Sequence, residues 1–131
     1  MRALIALPLP LLFVACATPE QIAAREETQA AQVPAATPIG PAEACVQTNR
    51  IRQTKVYSDR VIDFEMNDGR VYRNVLPQSC PRLGFEERFA YKTQIGQLCS
   101  VDTITVFDTS PGMVGPTCGL GEFQPVTVAK N

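Results

Sequence analysis

Histidine and tryptophan are both absent from the 131 residues, and only 7% are aromatic. Without histidine there is no Ser-His or Cys-His nucleophilic pair and no usual proton shuttle near neutral pH. No Cys-x-x-Cys pair occurs, so the close ligand spacing of structural zinc sites is missing. Phosphate-binding glycine loops, calcium loops and a Gly-x-Ser-x-Gly nucleophile turn are missing too, and no cofactor or metal is implied. Ser58, Ser79, Ser100 and Ser110 fall in turn-like surroundings instead. Charge of one sign is also lacking, since 12 Lys and Arg face 13 Asp and Glu. Between Ala44 and Val128 the balance is nine against nine. No basic face is available for nucleic acid, and alternating charges of this kind belong to a solvated surface.

What is there begins at the N-terminus. Ala3 to Val14, after Arg2, is the one long apolar run. It has the length of a signal-peptide core and is too short for a spanning helix, with Pro8 and Pro10 inside it. Ala15-Cys16 resembles the lipobox of bacterial lipoproteins, with Phe13 where leucine is usual. That resemblance implies cleavage before Cys16 and a lipid on its thiol. Ala17 in place of aspartate after the cysteine points to the periplasmic face of the outer membrane. The rival expectation is a soluble periplasmic or secreted chain, because Ala15-Cys16-Ala17 also fits small-x-small cleavage.

Composition divides the remainder. Residues 1–15 read as the signal, 16–43 as a disordered Ala/Pro/Gln-rich tether, 44–128 as one small domain and 129–131 as a tail. Within the tether, Glu20 to Ala31 is built of helix formers, enough for a short helix of marginal stability in isolation. Pro34, Pro38 and Pro41 stiffen the chain between that helix and the domain.

A domain this small needs covalent help, and the cysteines offer it. With Cys16 lipidated or removed, Cys45, Cys80, Cys99 and Cys118 remain, at intervals of 35, 19 and 19 residues. An exported chain uses four such cysteines for two disulfides. Three connectivities are open to them. If successive strands alternate up and down, cysteines at the same end pair as Cys45–Cys99 and Cys80–Cys118.

The domain reads as antiparallel β. Ile51 to Tyr57 mixes β-branched and long polar residues. Arg60 to Met66 alternates, with Ile62, Phe64 and Met66 on one face and Asp63 and Glu65 on the other. Asn67-Asp68-Gly69 is a hairpin signal, and Val71 to Leu76 returns. A three-residue loop sets Phe64 opposite Tyr72 as an aromatic pair, and Asp63 opposite Arg73 as an ion pair in a surface charge cluster. Further strands are expected over Glu87 to Thr93, Leu98 to Asp108 and Gly119 to Thr127. Pro77 to Gly84 reads as a loop and Ser110 to Pro116 as a mobile one. The expectation is an all-β fold: a single antiparallel six-stranded barrel or curled sheet, stapled by two disulfides.

The ordered string Cys45, Arg50-Ile51, Tyr72-Arg73-Asn74-x-Leu76, Cys80-Pro81, Leu98-Cys99-Ser100, Asp102-x-Ile104 and Cys118-x-Leu120-Gly121-x-Phe123 resembles a family of small exported bacterial proteins. That family is known only as a domain of unknown function. The resemblance implies an exported, cysteine-stapled domain and carries no activity. Val101 stands where glycine often precedes the aspartate.

Two functions from different classes fit these features. The first is a lipid-anchored envelope module that binds or scaffolds without catalysis, with an envelope protein or glycan as partner. Its binding face would comprise Arg52, Tyr57, Arg73 and Asn74, set against the plainer reading of Arg73 as an ion pair with Asp63. The second is a small hydrolase or glycan-processing enzyme using Asp102 or Glu87. An accessory or inhibitor subunit is a third reading, marked by an apolar patch near Ser110 to Pro116.

Overall fold

The computed structural model describes residues 16–110 and 112–130. In chain order it contains α1 (Pro19–Ala31), β1 (Ala36–Pro38), β2 (Cys45–Gln47), β3 (Ile51–Val56), β4 (Val61–Met66) and β5 (Val71–Val75). Beyond these come α2 (Leu83–Glu86), β6 (Phe89–Tyr91), β7 (Gln97–Cys99), β8 (Thr103–Phe107), β9 (Val114–Gly119) and β10 (Phe123–Val128). The expected signal over residues 1–15 lies outside the described residues.

The sheets are antiparallel: five strands in the order β1-β10-β5-β4-β3, the ribbon β2-β7, and three strands in the order β6-β8-β9. This corrects the single six-stranded barrel or curled sheet, since the described residues form ten strands in three sheets and no closed barrel. The correction has two local causes. The run from Leu98 to Asp108 is cut by a turn at Ser100–Asp102, where Asp102 N–H donates to the Cys99 carbonyl at 3.0 Å. Gln97–Cys99 then pairs with β2, while Thr103–Phe107 pairs with β6 and β9. The expected last strand breaks in the same way at Leu120–Glu122, and Val114–Pro116 joins β9 rather than a loop.

The central hairpin follows its sequence signals. Phe64 faces Tyr72 and Asp63 faces Arg73 across β4 and β5. Gly69 at φ +87° turns the three-residue loop, a conformation that glycine takes without steric cost. The aromatic partners differ from expectation, however. The Phe64 ring meets Phe123 at 5.3 Å and Phe89 at 6.3 Å, both edge-on, and so ties the five-stranded sheet to the three-stranded one.

One core results. Ile62, Phe64, Met66 and Leu76 from the five-stranded sheet and its exit loop pack with Ile104 and Val106 of β8, and with Val46 and Leu98 of the ribbon. The disulfides are Cys45–Cys99 and Cys80–Cys118, the expected pairs. The reason for the first pair is different: Cys45 and Cys99 are direct cross-strand neighbours in the ribbon. The second clips the loop after β5 to β9, joining two sheets.

The segment expected as a tether carries structure. Thr18 caps α1 reciprocally with Gln21, which satisfies both of their N–H groups, and Pro19, which has no N–H to leave bare, opens the helix. β1 adds to the edge of β10 through Ala36↔Val128 and Pro38↔Val126. Pro125 sits inside β10, and its carbonyl accepts from Ile39 N–H at 3.0 Å, so its missing donor faces the short edge strand. The β fold therefore draws on residues ahead of Ala44.

Candidate functional site

The four residues expected to form a binding face do not share one. Arg73 is an interior ion-pair partner: its Nε and Nη2 reach the two Asp63 oxygens at 2.8 and 2.9 Å, and Nη1 donates to the Pro34 carbonyl at 2.8 Å. Asp63 is 1% exposed. The expected surface charge cluster is thus partly buried beneath the N-terminal segment. Tyr57 lies 5.9 Å from the Arg73 guanidinium and adds a cation–π contact. Asn74 points the other way, as strand alternation requires, and is fully buried. Its amide donates to the Gly121 carbonyl at 2.7 Å and its oxygen accepts from Gly121 N–H at 2.8 Å. Two strings singled out in the sequence, Tyr72-Arg73-Asn74 and Leu120-Gly121-x-Phe123, therefore meet as a structural clamp.

Of the four, Arg52 is the exposed one, and it pairs with Glu65 at 3.0 Å. Lys55 also pairs with Glu65, at 2.6 Å, and Gln53 donates to it. Hydrogen bonds from Lys55, then Gln53, hold the Glu65 carboxyl down at about 2. The group is saturated by its own neighbours.

The carboxylates proposed for catalysis do not converge. Asp102 accepts from Cys99 N–H at 2.7 Å and secures the turn between β7 and β8. Glu87 is exposed, with φ +54°, at the end of α2. The two lie toward opposite ends of β8, on the order of 15 Å apart by strand rise. Glu86 is buried, binding Arg82 at 2.6 Å and Thr109 N–H at 3.2 Å. Asp59, also buried, accepts from Gly84 N–H at 2.8 Å. Among the described residues no group of three or more His, Cys, Asp or Glu is placed to hold a metal ion.

A different place has the form of a binding site. A cleft of about 270 Å³ opens between β2 and the β4–β5 hairpin. Val46, Met66 and Tyr72, each 5% exposed, form its floor, and Cys45 its wall. Charged and polar groups make the rim: Glu43, Gln47, Arg50, Asp68 and Arg70. An apolar floor with a few polar groups at the edge is the usual make-up of a small-ligand site. Tyr72 Oη donates weakly to Glu43 at 3.4 Å, and Arg70 pairs with Asp68 at 3.3 Å. The Tyr72 phenol first, and then Asp68, push the Arg70 pKa up. Arg50 has no ion-pair partner among the described residues.

Sequence reasoning missed this cleft because Glu43 stood in the supposed tether and β2 has only three residues. The available signal was the pairing of Cys45 with Cys99, which fixes Val46 beside the core. Cys16, the expected lipidation site, is free and exposed, two residues ahead of the Thr18 cap. No helix among the described residues is long and apolar enough to cross a membrane. No protein-family model, curated protein or solved structure matches this chain.

Proposed function

We propose that this chain is a bacterial lipid-anchored envelope protein whose single β domain binds or scaffolds a partner without catalysing a reaction. The partition of the five cysteines carries the reading. Four are joined in two disulfides, which belong to an oxidising compartment, and Cys16 alone is free and exposed. An exposed leftover thiol in such a compartment is a liability unless it is modified. Lipidation at Cys16 resolves the imbalance, and the apolar run from Ala3 to Val14, followed by Ala15, supplies the recognition signal. The same features agree with membership of the exported family that the cysteine string resembles, and with residence at the periplasmic face of the outer membrane. The hydrolase alternative gains nothing from Asp102 and Glu87, which serve different ends of β8.

The test is the intact mass of the protein from a membrane fraction, with and without reduction before thiol alkylation. A chain beginning at lipidated Cys16, alkylated at four thiols only after reduction, is expected. An unlipidated chain beginning after Cys16 would replace the anchor with soluble export.

An accessory-subunit reading has one observation of its own. Val114, 67% exposed, stands opposite Phe107 on the three-stranded sheet, and Met113 just before it is 58% exposed. Loss of a co-purifying envelope protein on Met113→Lys/Val114→Lys substitution would favour it.

A further inference from the structure

The outer face of the three-stranded sheet is a grid of short side chains ended by an aromatic ring. Alternation along β8 buries Ile104 and Val106 and turns Thr103, Thr105 and Phe107 outward. Across the strands Thr105 faces Ala90 and Thr117, Thr103 faces Gly119, and Phe107 faces Val114. The Thr105 and Thr117 hydroxyls lie 3.0 Å apart and bond each other, with acceptor capacity left over. Nothing stands within 4 Å of where a Cβ on Gly119 would lie. Between Ala90, the three threonines, Phe107 and Val114 runs a groove of about 450 Å³.

A single charged residue lines this groove, and it is positive. Lys92 is exposed and makes no ion pair among the described residues. The carboxylates nearby in sequence are engaged or lie off the groove. Asp102 accepts from Cys99 N–H, Asp108 pairs with Arg82 at 2.7 Å, and Glu87 is not part of the lining. At Tyr91 and Lys92 the groove meets a second one of about 690 Å³, which leads toward Ile95 and Val101. A bound chain can therefore run on past the sheet face, which is about 14 Å long from Thr103 to Phe107.

Sugar rings suit such a surface. The C–H side of a ring covers an aromatic or aliphatic side chain, and its hydroxyls exchange hydrogen bonds with threonine hydroxyls. An ammonium with no competing carboxylate favours an anionic ligand. We propose that the outer face of the three-stranded sheet binds an acidic glycan, a run of sugar rings bearing carboxylates. Phe107 and Val114 lie against a ring, the threonines meet its hydroxyls and Lys92 meets a carboxylate. The inference deepens the binding-module reading and rests on it for the glycan's setting in the envelope.

The test titrates the full chain, oxidised at both disulfides, with oligogalacturonate and follows the amides by NMR. Concentrations reach about 10 mM, because a small exposed site binds weakly. The methyl-esterified oligomer, with the same rings and no charge, is run in parallel, as is poly-glutamate, with the charge and no rings. Saturable shifts are expected at Ala90, Lys92, Thr103, Thr105, Phe107 and Thr117. The ester should bind about threefold more weakly, as one exposed ion pair allows, and poly-glutamate should leave these amides unmoved. Lys92→Gln should lower the acidic oligomer to the affinity of its ester, while Phe107→Ala should weaken both oligomers. The Lys92 variant removes an exposed, unpaired side chain, and the rest of the spectrum reports that the fold is kept. No saturable shift on this face, or equal affinity for the acid and its ester, would overturn the proposal. So would the same shifts with poly-glutamate, which would make the face a site for acidic peptide. Each of these failures leaves the anchored-module reading standing, because the cysteine masses test that separately.

Discussion

Asn74 and Gly121 show how much of this fold hangs on single side chains. A Cβ at Gly121 would stand 2.2 Å from the Val75 carbonyl oxygen, so only glycine allows the close approach that Asn74 clamps. Asn74→Ala strands a buried donor and acceptor and should cost about 2–3 kcal/mol in urea unfolding. Arg52→Ala, on an exposed ion pair, should cost about 1 kcal/mol or less. Glu65 gives the acid response. Its carboxyl is held near 2 in the folded chain against an ordinary value of 4.5, so its contribution is present above about pH 4.5 and lost as the pH falls through about 2. The gap in urea midpoint between the wild type and Glu65→Gln should therefore be widest near neutral pH and close toward about pH 2. A gap independent of pH would refute that role for the carboxylate.

Among the elements, β1 changes the picture of the N-terminus most. Ile39 N–H donates to Pro125 and Ala129 N–H donates to Ala35, at 3.0 and 2.9 Å, so the segment is stitched to β10 on both sides. Arg73 reaches out of β5 to the Pro34 carbonyl and fastens it a third time. Hydrogen exchange should show the Ile39 and Ala129 amides protected, whereas the amide of Ala17 exchanges freely. Exchange of Ile39 at the rate of an open chain would restore the leash. Helix α1 buries no residue and touches the body near its C-terminus, where Asp59 N–H donates to the Gln29 side chain at 3.1 Å. Its 13 residues extend about 20 Å. With lipid on Cys16, the β domain would stand about one short helix from the bilayer rather than swing on a long tether.

For the whole molecule, three small sheets share one core, and the Cys80–Cys118 bridge closes a 38-residue separation between two of them. Converting both cysteines to alanine should destabilise the domain by about 2–4 kcal/mol, read as a lower thermal midpoint, and free the three-stranded sheet first. The Cys45–Cys99 bridge spans a longer separation of 54 residues but lies within one ribbon, so its loss should loosen the wall of the cleft instead.

Local chemistry determined the β character, the Asn67-Asp68-Gly69 turn, the register of Phe64 against Tyr72 and the division of cysteines into one and four. Strand alternation and turn preference act over a few residues, and those are legible in one chain. Tertiary structure decided the rest. Whether Leu98 to Asp108 is one strand or two depends on what lies beside each half, and β2, the partner of the first half, is remote in sequence, with 54 positions between Cys45 and Cys99. Asn74 looked like a surface polar residue until Gly121, 47 positions away, became its partner. The cleft arises in the same way, because Glu43, Arg50 and Arg70 become neighbours only when β2 is drawn to the core beside the hairpin. Long-range contacts of that kind leave no local pattern, since each partner satisfies its own neighbourhood whether or not the other is there.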